Sequence, residues 1–369
     1  MITFAILILI VAKALPGLNT HISSIHITRI TSIAFLFAGA LSLNSLNLES
    51  IGSGIGIYSG FFQVTTISQL IEIFLFIIGG GILIAWPQIK HNLSSEGPPL
   101  ALPASTLPLK GPKEGASSIE GKTSPSTTAQ ARLRSKANGG GTDYSLVVLF
   151  SSLGSSLLIS SYDLISVYLS IELQSFGLYV LSTLYREKES STSAGLKYFL
   201  LGGLSSCIIL LGTGIIYSYT GTTNLESLYI INSVTGVSQL YIIQGISLGL
   251  SLIFIGFLFK IAAAPLHNWS PDVYDGTPTI VTTWLTIIPK IAILFILLEL
   301  QIKLGSFGPL GLKTIIVNNN GALALLNLNQ ILKTLLLISA TLSLIIGSLL
   351  GLAQIRIKRL LAYSTIVRH

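Results

Sequence analysis

Nine stretches of the chain are apolar over the length that a helix needs to cross a lipid bilayer. They lie at 2–18, 31–48, 61–86, 144–161, 164–184, 194–219, 240–262, 279–300 and 331–352, and a tenth begins at Leu360. A membrane helix needs about 20 predominantly apolar residues, and all of its backbone polar groups are satisfied within the helix. Only 9% of the residues are charged and the mean hydropathy is +0.76, whereas about 25% of residues are charged in an ordinary soluble domain. The sequence therefore predicts an all-α fold, a polytopic bundle of membrane helices.

Basic residues are distributed unevenly over the connections between these stretches. One set of alternate connections holds thirteen Lys and Arg residues: Arg29, Lys90, Lys110, Lys113, Lys122, Arg132, Arg134, Lys136, Arg186, Lys188, Arg356, Lys358 and Arg359. The other set holds only Lys303 and Lys313. The positive-inside rule places the richer set on the inner side and the N-terminus on the outer side. We therefore assign the net charge of +7 to loops that face anionic lipid such as cardiolipin, and not to nucleic-acid binding, because no basic run is interleaved with aromatic residues.

The longest connection, 88–143, is rich in Pro, Ser, Gly, Thr and Lys and has no apolar periodicity. Such a segment buries too little apolar surface to offset the entropy lost on ordering. The sequence predicts a disordered loop on the inner side, with a docking site for a partner as the alternative. This loop separates three N-terminal membrane helices (1–87) from the later helices, which short connections join into one bundle.

Four ionisable side chains lie within the apolar stretches: Glu172, Lys197, Lys260 and Lys290. A charge at the centre of a membrane helix costs roughly 2.5–3.5 kcal/mol even on lenient insertion scales. Such residues face the bundle interior or a wet cavity, pair with one another and mark ion or proton pathways. The pattern therefore indicates movement of ions or protons and not a passive lipid anchor.

The segment 259–290 combines Lys260 with Pro265, Pro271 and Pro278. Each proline removes a backbone donor and crowds the preceding turn, so a continuous helix is excluded. Irregular backbone at membrane depth is tolerated only where protein shields it or where it lines a cavity, and transporters place ion sites at such discontinuous helices. The sequence predicts a broken helix beside Lys260.

Three other acidic residues are interpreted structurally. Asp163 opens the stretch at 164–184 and is interpreted as a cap of that helix or as a residue of the preceding loop. Asp272 and Asp275 are interpreted as turn residues of the broken segment, with a role in a water-filled entrance as the alternative.

The sequence holds little that favours metal or nucleotide chemistry. Cys207 is the only cysteine and lies in an apolar stretch, so a Cys-based iron–sulfur or zinc site is not predicted. The histidines have no i, i+4 spacing, and the glycine cluster at 52–56 is not a dinucleotide fingerprint. We therefore predict that this chain binds no cofactor.

Four motifs carry a family resemblance. The string KIAAAPLHNWSPDVYDGTPT, with SIELQSFGLYVL and GLKYFLLGG before it and RIKRLLAYSTI after it, resembles the antiporter-like membrane subunits of NADH:ubiquinone oxidoreductase (respiratory complex I). It is most similar to the subunit 2 group of fungal mitochondria, and cation/proton antiporters share the same fold family. The resemblance covers about 61–366 well and the first sixty residues only loosely.

The resemblance implies a fourteen-helix fold of two inverted five-helix repeats, each with a broken helix. On that pattern, 144–300 is the first repeat, with the family's broken seventh helix, and 301–369 is the start of a second repeat that is largely missing. The chain departs from the family after Ile366. We expect a gene model that ran past an exon boundary, with a genuinely short or split subunit as the alternative.

The resemblance also implies roles for five residues in proton translocation. Glu172 matches the glutamate of the family's fifth helix, Lys197 the lysine of the sixth and Lys260 the lysine of the broken seventh. Lys290 matches the lysine of the eighth helix, and His267 the histidine of the loop after the break. A Glu172–Lys197 pair would then control the proton affinity of Lys260. The structural alternatives are an ion pair that only joins two helices, a snorkelling Lys260, and a His267 that only binds a loop carbonyl.

From the resemblance we expect a proton-translocating membrane subunit of complex I in the mitochondrial inner membrane. Its partners would be the other membrane subunits, while NADH, FMN, iron–sulfur clusters and ubiquinone would bind elsewhere in the complex. The alternatives are a stand-alone cation/proton antiporter subunit and a structural or inactive truncated product.

Overall fold

The computed structural model describes residues 1–14, 24–47, 54–85, 127–185, 188–234, 240–305 and 328–368. Within these ranges the chain forms twelve helices and one two-stranded hairpin. The elements are α1 (Ile2–Ala14), α2 (Ser24–Ser45), β1 (Ile55–Ile57), β2 (Phe62–Val64), α3 (Thr66–Ile84), α4 (Thr127–Ser160), α5 (Leu164–Thr183), α6 (Glu189–Thr220), α7 (Leu225–Val234), α8 (Leu240–Ile261), α9 (Trp269–Gly276), α10 (Thr279–Gly305), α11 (Leu328–Leu352) and α12 (Ile357–Arg368).

Within the described residues each of the nine predicted apolar stretches overlaps a helix, so the predicted all-α membrane bundle is confirmed. Seven helices in the described ranges are long and apolar enough to span a membrane, judged by length and composition. Two stretches fall on shorter apolar segments, Ile2–Ala14 and Tyr144–Ser160. Large apolar side chains such as Phe4, Leu169 and Leu349 are more than half exposed, as expected of helices that face lipid.

The helix α4 begins at Thr127, inside the segment that the sequence predicts to be disordered. The prediction is wrong for 127–143, and 88–126 lies outside the described residues. Pro125 is the last proline of this segment, and the Ala, Gln, Leu, Arg and Lys residues that follow it favour helix. Composition averaged over the whole connection hid this change.

A short β-hairpin precedes α3, where the sequence predicts a helix from 61. β1 and β2 pair antiparallel, and the turn between them places Tyr58, Ser59 and Gly60 at positive φ. Thr65 then starts α3, accepting a hydrogen bond from the Ser68 backbone N–H in a capping box. Strands of three residues are too short to show a clear alternation of apolar and polar residues. The apolar residues at 61–64 are therefore predicted as part of the helix that follows.

The hairpin is bonded to the connections that follow α4 and α6, and we call this side the hairpin end of the bundle (54–65, 161–163 and 221–225). The Tyr162 backbone N–H donates to the Phe61 carbonyl at 2.9 Å. The Thr223 hydroxyl donates to Asp163 Oδ2 at 2.8 Å, and Asp163 Oδ1 accepts from the Ile165 N–H. Asp163 therefore caps α5, one of the two roles predicted for it, and it also joins the connection after α4 to the connection after α6.

Small residues allow neighbouring helices to approach closely. A Cβ added at Gly154 of α4 would lie 2.5 Å from the backbone nitrogen of Gln174 in α5. A Cβ added at Gly212 of α6 would lie 2.6 Å from the carbonyl oxygen of Gly249 in α8. Neither contact leaves room for a side chain. Close approach of this kind is how membrane helices associate where lipid provides no hydrophobic drive.

Candidate functional site

The predicted break is confirmed between α8 and α9. α8 ends one residue after Lys260, Ala262 has a φ of 69° and the Ala264–Pro265 peptide is cis. The Phe259 carbonyl, which the break would leave without a helical partner, accepts from the Ala262 N–H at 3.1 Å and from the Trp269 indole N–H at 2.9 Å. Trp269, the first residue of α9, thereby supplies a hydrogen bond to a backbone carbonyl at the break, where lipid could offer no donor.

Lys260 is held by two side chains of α5. Its Nζ donates to the Ser175 hydroxyl at 2.8 Å and forms an ion pair with Glu172 Oε1 at 3.5 Å. The Ser175 hydroxyl donates in turn to the Ile171 carbonyl, so its lone pairs point to Lys260. The Lys260 and Glu172 side chains are 7% and 17% exposed. A buried pair is weak evidence for a purely stabilising role, because desolvation offsets much of its attraction.

Lys290 lies in α10, directly after Pro289, and is only 4% exposed. Its Nζ is 5.6 Å from the centre of the Tyr274 ring of α9, a cation–π geometry. The lysine of the unbroken helix thus contacts the short helix that follows the break.

Lys260 and Lys290 line the same internal cavity, which we call the central cavity. It admits the centre of a water molecule over about 20 Å³, which is room for one or two waters. Helices α5, α6, α8, α9 and α10 contribute to its wall. Its polar residues are Gln174, Ser175, Tyr179, Tyr198, Ser205, Lys260, Trp269, Tyr274 and Lys290.

Lys197 is placed away from this cavity. Its Nζ lies 2.7 Å from Asp272 Oδ2 of α9, and the two side chains are 55% and 38% exposed. The expected Glu172–Lys197 pair is not formed, since Glu172 pairs with Lys260 instead. α6 begins at Glu189, five residues earlier than predicted. Lys197 therefore lies in the first third of α6, beside α9, and not at the centre of the membrane helix.

Asp272 and Asp275 lie on α9, so their interpretation as turn residues is wrong. Asp275 Oδ2 accepts from Arg356 at 2.8 Å and from Arg359 at 3.1 Å, and Arg359 also donates to Asp272 Oδ1 at 3.3 Å. With Lys197 these residues form what we call the basic-end network. Its arginines lie just before and within α12, at the end of the bundle opposite the hairpin end.

His267 is buried, at 5% exposed, but is not among the residues that line the central cavity. Within the described part of the chain its Nδ1 has no hydrogen-bond partner, and its ring centre lies 6.3 Å from that of Tyr363. Burial lowers the pKa of His267 below its usual 6.5, so the ring is neutral at pH 7. The structure therefore brings together Glu172, Lys260 and Lys290, but not His267.

Sequence reasoning missed Ser175, Gln174 and Tyr274. Ser175 follows Glu172 by three residues, a spacing that places both on one face of a helix, so this signal was present. Tyr274 gave no signal, because an aromatic residue in a polar loop is common.

A family model described as "NADH:quinone oxidoreductase/Mrp antiporter, TM" matches residues 161–368. The chain is 45% identical over 366 residues to NADH-ubiquinone oxidoreductase chain 2 of Rhizopus oryzae, covering 99% of this chain and 60% of that protein. It is 43% identical over 224 residues to the protein of the same name from Marchantia polymorpha, covering 60% of this chain and 41% of the relative. The chain thus spans less than two thirds of the length of these relatives.

Solved structures share the fold. A chain of respiratory complex I from Thermus thermophilus superposes with a TM-score of 0.63 at 23% identity, and a chain of an archaeal membrane-bound sulfane sulfur reductase with 0.66 at 18%. A chain of the Mrp complex of Dietzia superposes with 0.62 at 15%. Each match covers the whole of this chain and 56–62% of the other. Since the family model covers more than half of the chain, this protein belongs to the transmembrane family of NADH:quinone oxidoreductases and Mrp antiporters.

Proposed function

We propose that this chain is a proton-translocating membrane subunit of mitochondrial respiratory complex I, embedded in the inner membrane as a multi-pass protein. The observation that carries the proposal is the buried Glu172–Lys260 pair beside a broken helix, with Lys290 on the wall of the same cavity as Lys260. The similarity to complex I chain 2 of Rhizopus oryzae supports the choice of complex. NADH oxidation and ubiquinone reduction, with FMN and iron–sulfur clusters, take place in other subunits.

The geometry supports a charge-controlled proton transfer. A carboxylate 3.5 Å from Lys260 favours the ammonium form of that lysine. Protonating Glu172, or moving it away, removes this stabilisation, and Lys260 then releases its proton into the central cavity towards Lys290. The three groups titrate together, so the site acts as one coupled unit. In this scheme Lys197 holds α9 and is not a relay.

The basic end faces the inner compartment in our proposal. Arg356, Lys358 and Arg359 lie there, in accordance with the positive-inside rule. Anionic lipid such as cardiolipin is the expected neighbour of these cations, and the other complex I membrane subunits are the expected protein partners.

A stand-alone cation/proton antiporter subunit is the second candidate, because the matched family includes Mrp antiporters and the Dietzia Mrp fold is similar. Purification of the native complex decides between the two. We expect flavin, iron–sulfur clusters and NADH:ubiquinone activity to co-purify with this chain. A complex without them supports the antiporter.

The proton function is tested with Lys260→Ala in the assembled complex, with assembly checked on native gels. We expect NADH-driven proton uptake by membrane vesicles to be lost, since no ammonium is left beside Glu172. The matched control is Lys333→Ala, in which an exposed lysine of α11 is removed. Normal uptake by an assembled Lys260→Ala complex contradicts the proposed function.

A further inference from the structure

Gln174 is the least expected polar residue of the central cavity. It is 1% exposed, and neither its side-chain nitrogen nor its side-chain oxygen has a hydrogen-bond partner within the described part of the chain. A carboxamide offers two donor hydrogens and two acceptor lone pairs. Since almost all buried polar side-chain atoms in proteins are hydrogen-bonded to protein or ordered water, this amide is in a position that requires a polar ligand.

The cavity supplies both the space and further polar groups for that ligand. Tyr274 lines the same cavity, and its hydroxyl also has no hydrogen-bond partner among the described residues. An internal water needs about 10–15 Å³ of such space and two to four polar partners. The volume of about 20 Å³, together with Gln174, Tyr274 and the two lysines, meets both conditions. Water is therefore the ligand that fits.

The position of Gln174 is fixed by packing as well. Its backbone lies against Gly154 of α4, where an added Cβ would be 2.5 Å from the Gln174 nitrogen. The next residue, Ser175, is bonded to Lys260. Gln174 therefore lies where α4 and α5 pack closely, and it is adjacent in sequence to Ser175, which binds the proposed proton donor Lys260.

We propose that Gln174, assisted by the Tyr274 hydroxyl, is a positioning residue that orders water between Lys260 and Lys290. This inference rests on the proposed function. A proton leaves Lys260 Nζ for the water oxygen, while one of the water protons passes to Lys290 Nζ, which accepts it as the neutral amine, directly or through a second water. The water is regenerated and the amide is unchanged. Because an amide donates and accepts at once, it holds the water in the same place before and after the transfer.

The test replaces Gln174 with methionine, which has a similar volume and makes no comparable hydrogen bonds. We expect Gln174→Met to lower NADH-driven proton uptake in the assembled complex by about 10- to 100-fold, because misplacement of a reacting group by about 1 Å costs rate on that scale. Gln174→Asn keeps the amide and leaves room for one more water, so it should restore most of the uptake. The matched control is Gln69→Met, the same change in α3, where Gln69 accepts from Ser45 outside the cavity.

A second readout separates positioning from packing. If ordered water carries the proton, the ratio of turnover in H₂O to turnover in D₂O should rise in Gln174→Met and return towards the original value in Gln174→Asn. Full uptake in an assembled Gln174→Met complex overturns the proposal. Reduced uptake with an unchanged isotope ratio, or with no recovery in Gln174→Asn, also overturns it, since packing alone then explains the loss.

Two further outcomes are decisive. If Gln174→Met does not assemble, Gln174→Leu is compared with Gln174→Asn in the same way, and failure of all three to assemble assigns the amide to folding and overturns the proposal. The Lys260→Ala variant is measured alongside. If that variant pumps, the proposed function fails; if it does not pump and Gln174→Met does, only the role of Gln174 fails.

Discussion

Two lysine–carboxylate pairs in the described part of the chain contrast with each other, because the shorter pair is exposed and the longer pair is buried. The pair at the basic end, Lys197–Asp272, is short at 2.7 Å and exposed. The pair beside the break, Lys260–Glu172, is longer at 3.5 Å and almost fully buried. In the sequence both lysines lie in apolar stretches and look equivalent. The environment, and not the separation, distinguishes their roles.

The physical reason is the dielectric around each pair. Exposed ion pairs contribute about 0–1 kcal/mol, because water and salt screen them. Charges that are taken out of water interact more strongly with each other and respond more strongly to any change in their partner. The Lys197 pair therefore suits docking of α9, while the Lys260 pair suits switching between protonation states.

Among the substitutions that test this comparison, Lys260→Arg has the largest expected effect. A guanidinium keeps the positive charge near Glu172 but does not release its proton at physiological pH. We expect an assembled complex whose NADH-driven proton uptake falls by about 100-fold, which is within the range for loss of a positioned proton-transfer group. The measurement is vesicle acidification with native-gel quantification. Normal uptake makes Lys260 a structural cation and removes the contrast between the two pairs.

Glu172→Gln comes next. The amide keeps the shape of the side chain and removes the charge, so assembly should be largely preserved. A carboxylate near a lysine alters its proton affinity by about 10- to 1,000-fold, and we expect proton uptake and NADH:quinone turnover to fall by about tenfold. Measuring both rates in the same vesicles tests this. Unchanged turnover and stoichiometry argue that Glu172 has no part in the switch.

Asp275→Asn tests the basic-end network through stability. The Asp275 side chain is 14% exposed and accepts from Arg356 and Arg359, so its loss should cost about 1.5–3 kcal/mol, the usual contribution of hydrogen bonds to charged groups. We expect faster thermal inactivation of the complex, with proton uptake per NADH unchanged at low temperature. Asp272→Asn is the control, because the more exposed Asp272 should have a smaller effect on stability.

The smallest expected effect is that of Lys197→Met. Only an exposed pair is lost, at about 0–1 kcal/mol, so proton uptake should stay within about twofold of the original rate. The family resemblance implies a larger role for this lysine. Strong loss of uptake in an assembled Lys197→Met complex therefore supports the resemblance over the position that the structure gives.

Features that depend on neighbouring residues were predictable from the sequence, and features that depend on helix packing were not. The apolar spans, the cap at Asp163 and the proline-induced break all arise from local chemistry. The partner of Glu172 depends instead on where α8 and α6 lie around α5, and no local pattern encodes that choice. The family pattern supplied the residues of the site, but it suggested Lys197 as the partner where the structure has Lys260.

The short helix α9 lies between two parts of the bundle. Lys197 of α6 binds its Asp272, Arg356 binds its Asp275, and Arg359 binds both acids. Its Tyr274, the residue before Asp275, lies beneath Lys290. Because eight residues of helix form a rod of about 12 Å, α9 connects the basic-end network to the ring below Lys290. If Lys290 accepts the proton, as proposed, movement of α12 at the rim of the membrane would change the surroundings of that acceptor without any charge crossing the space between them.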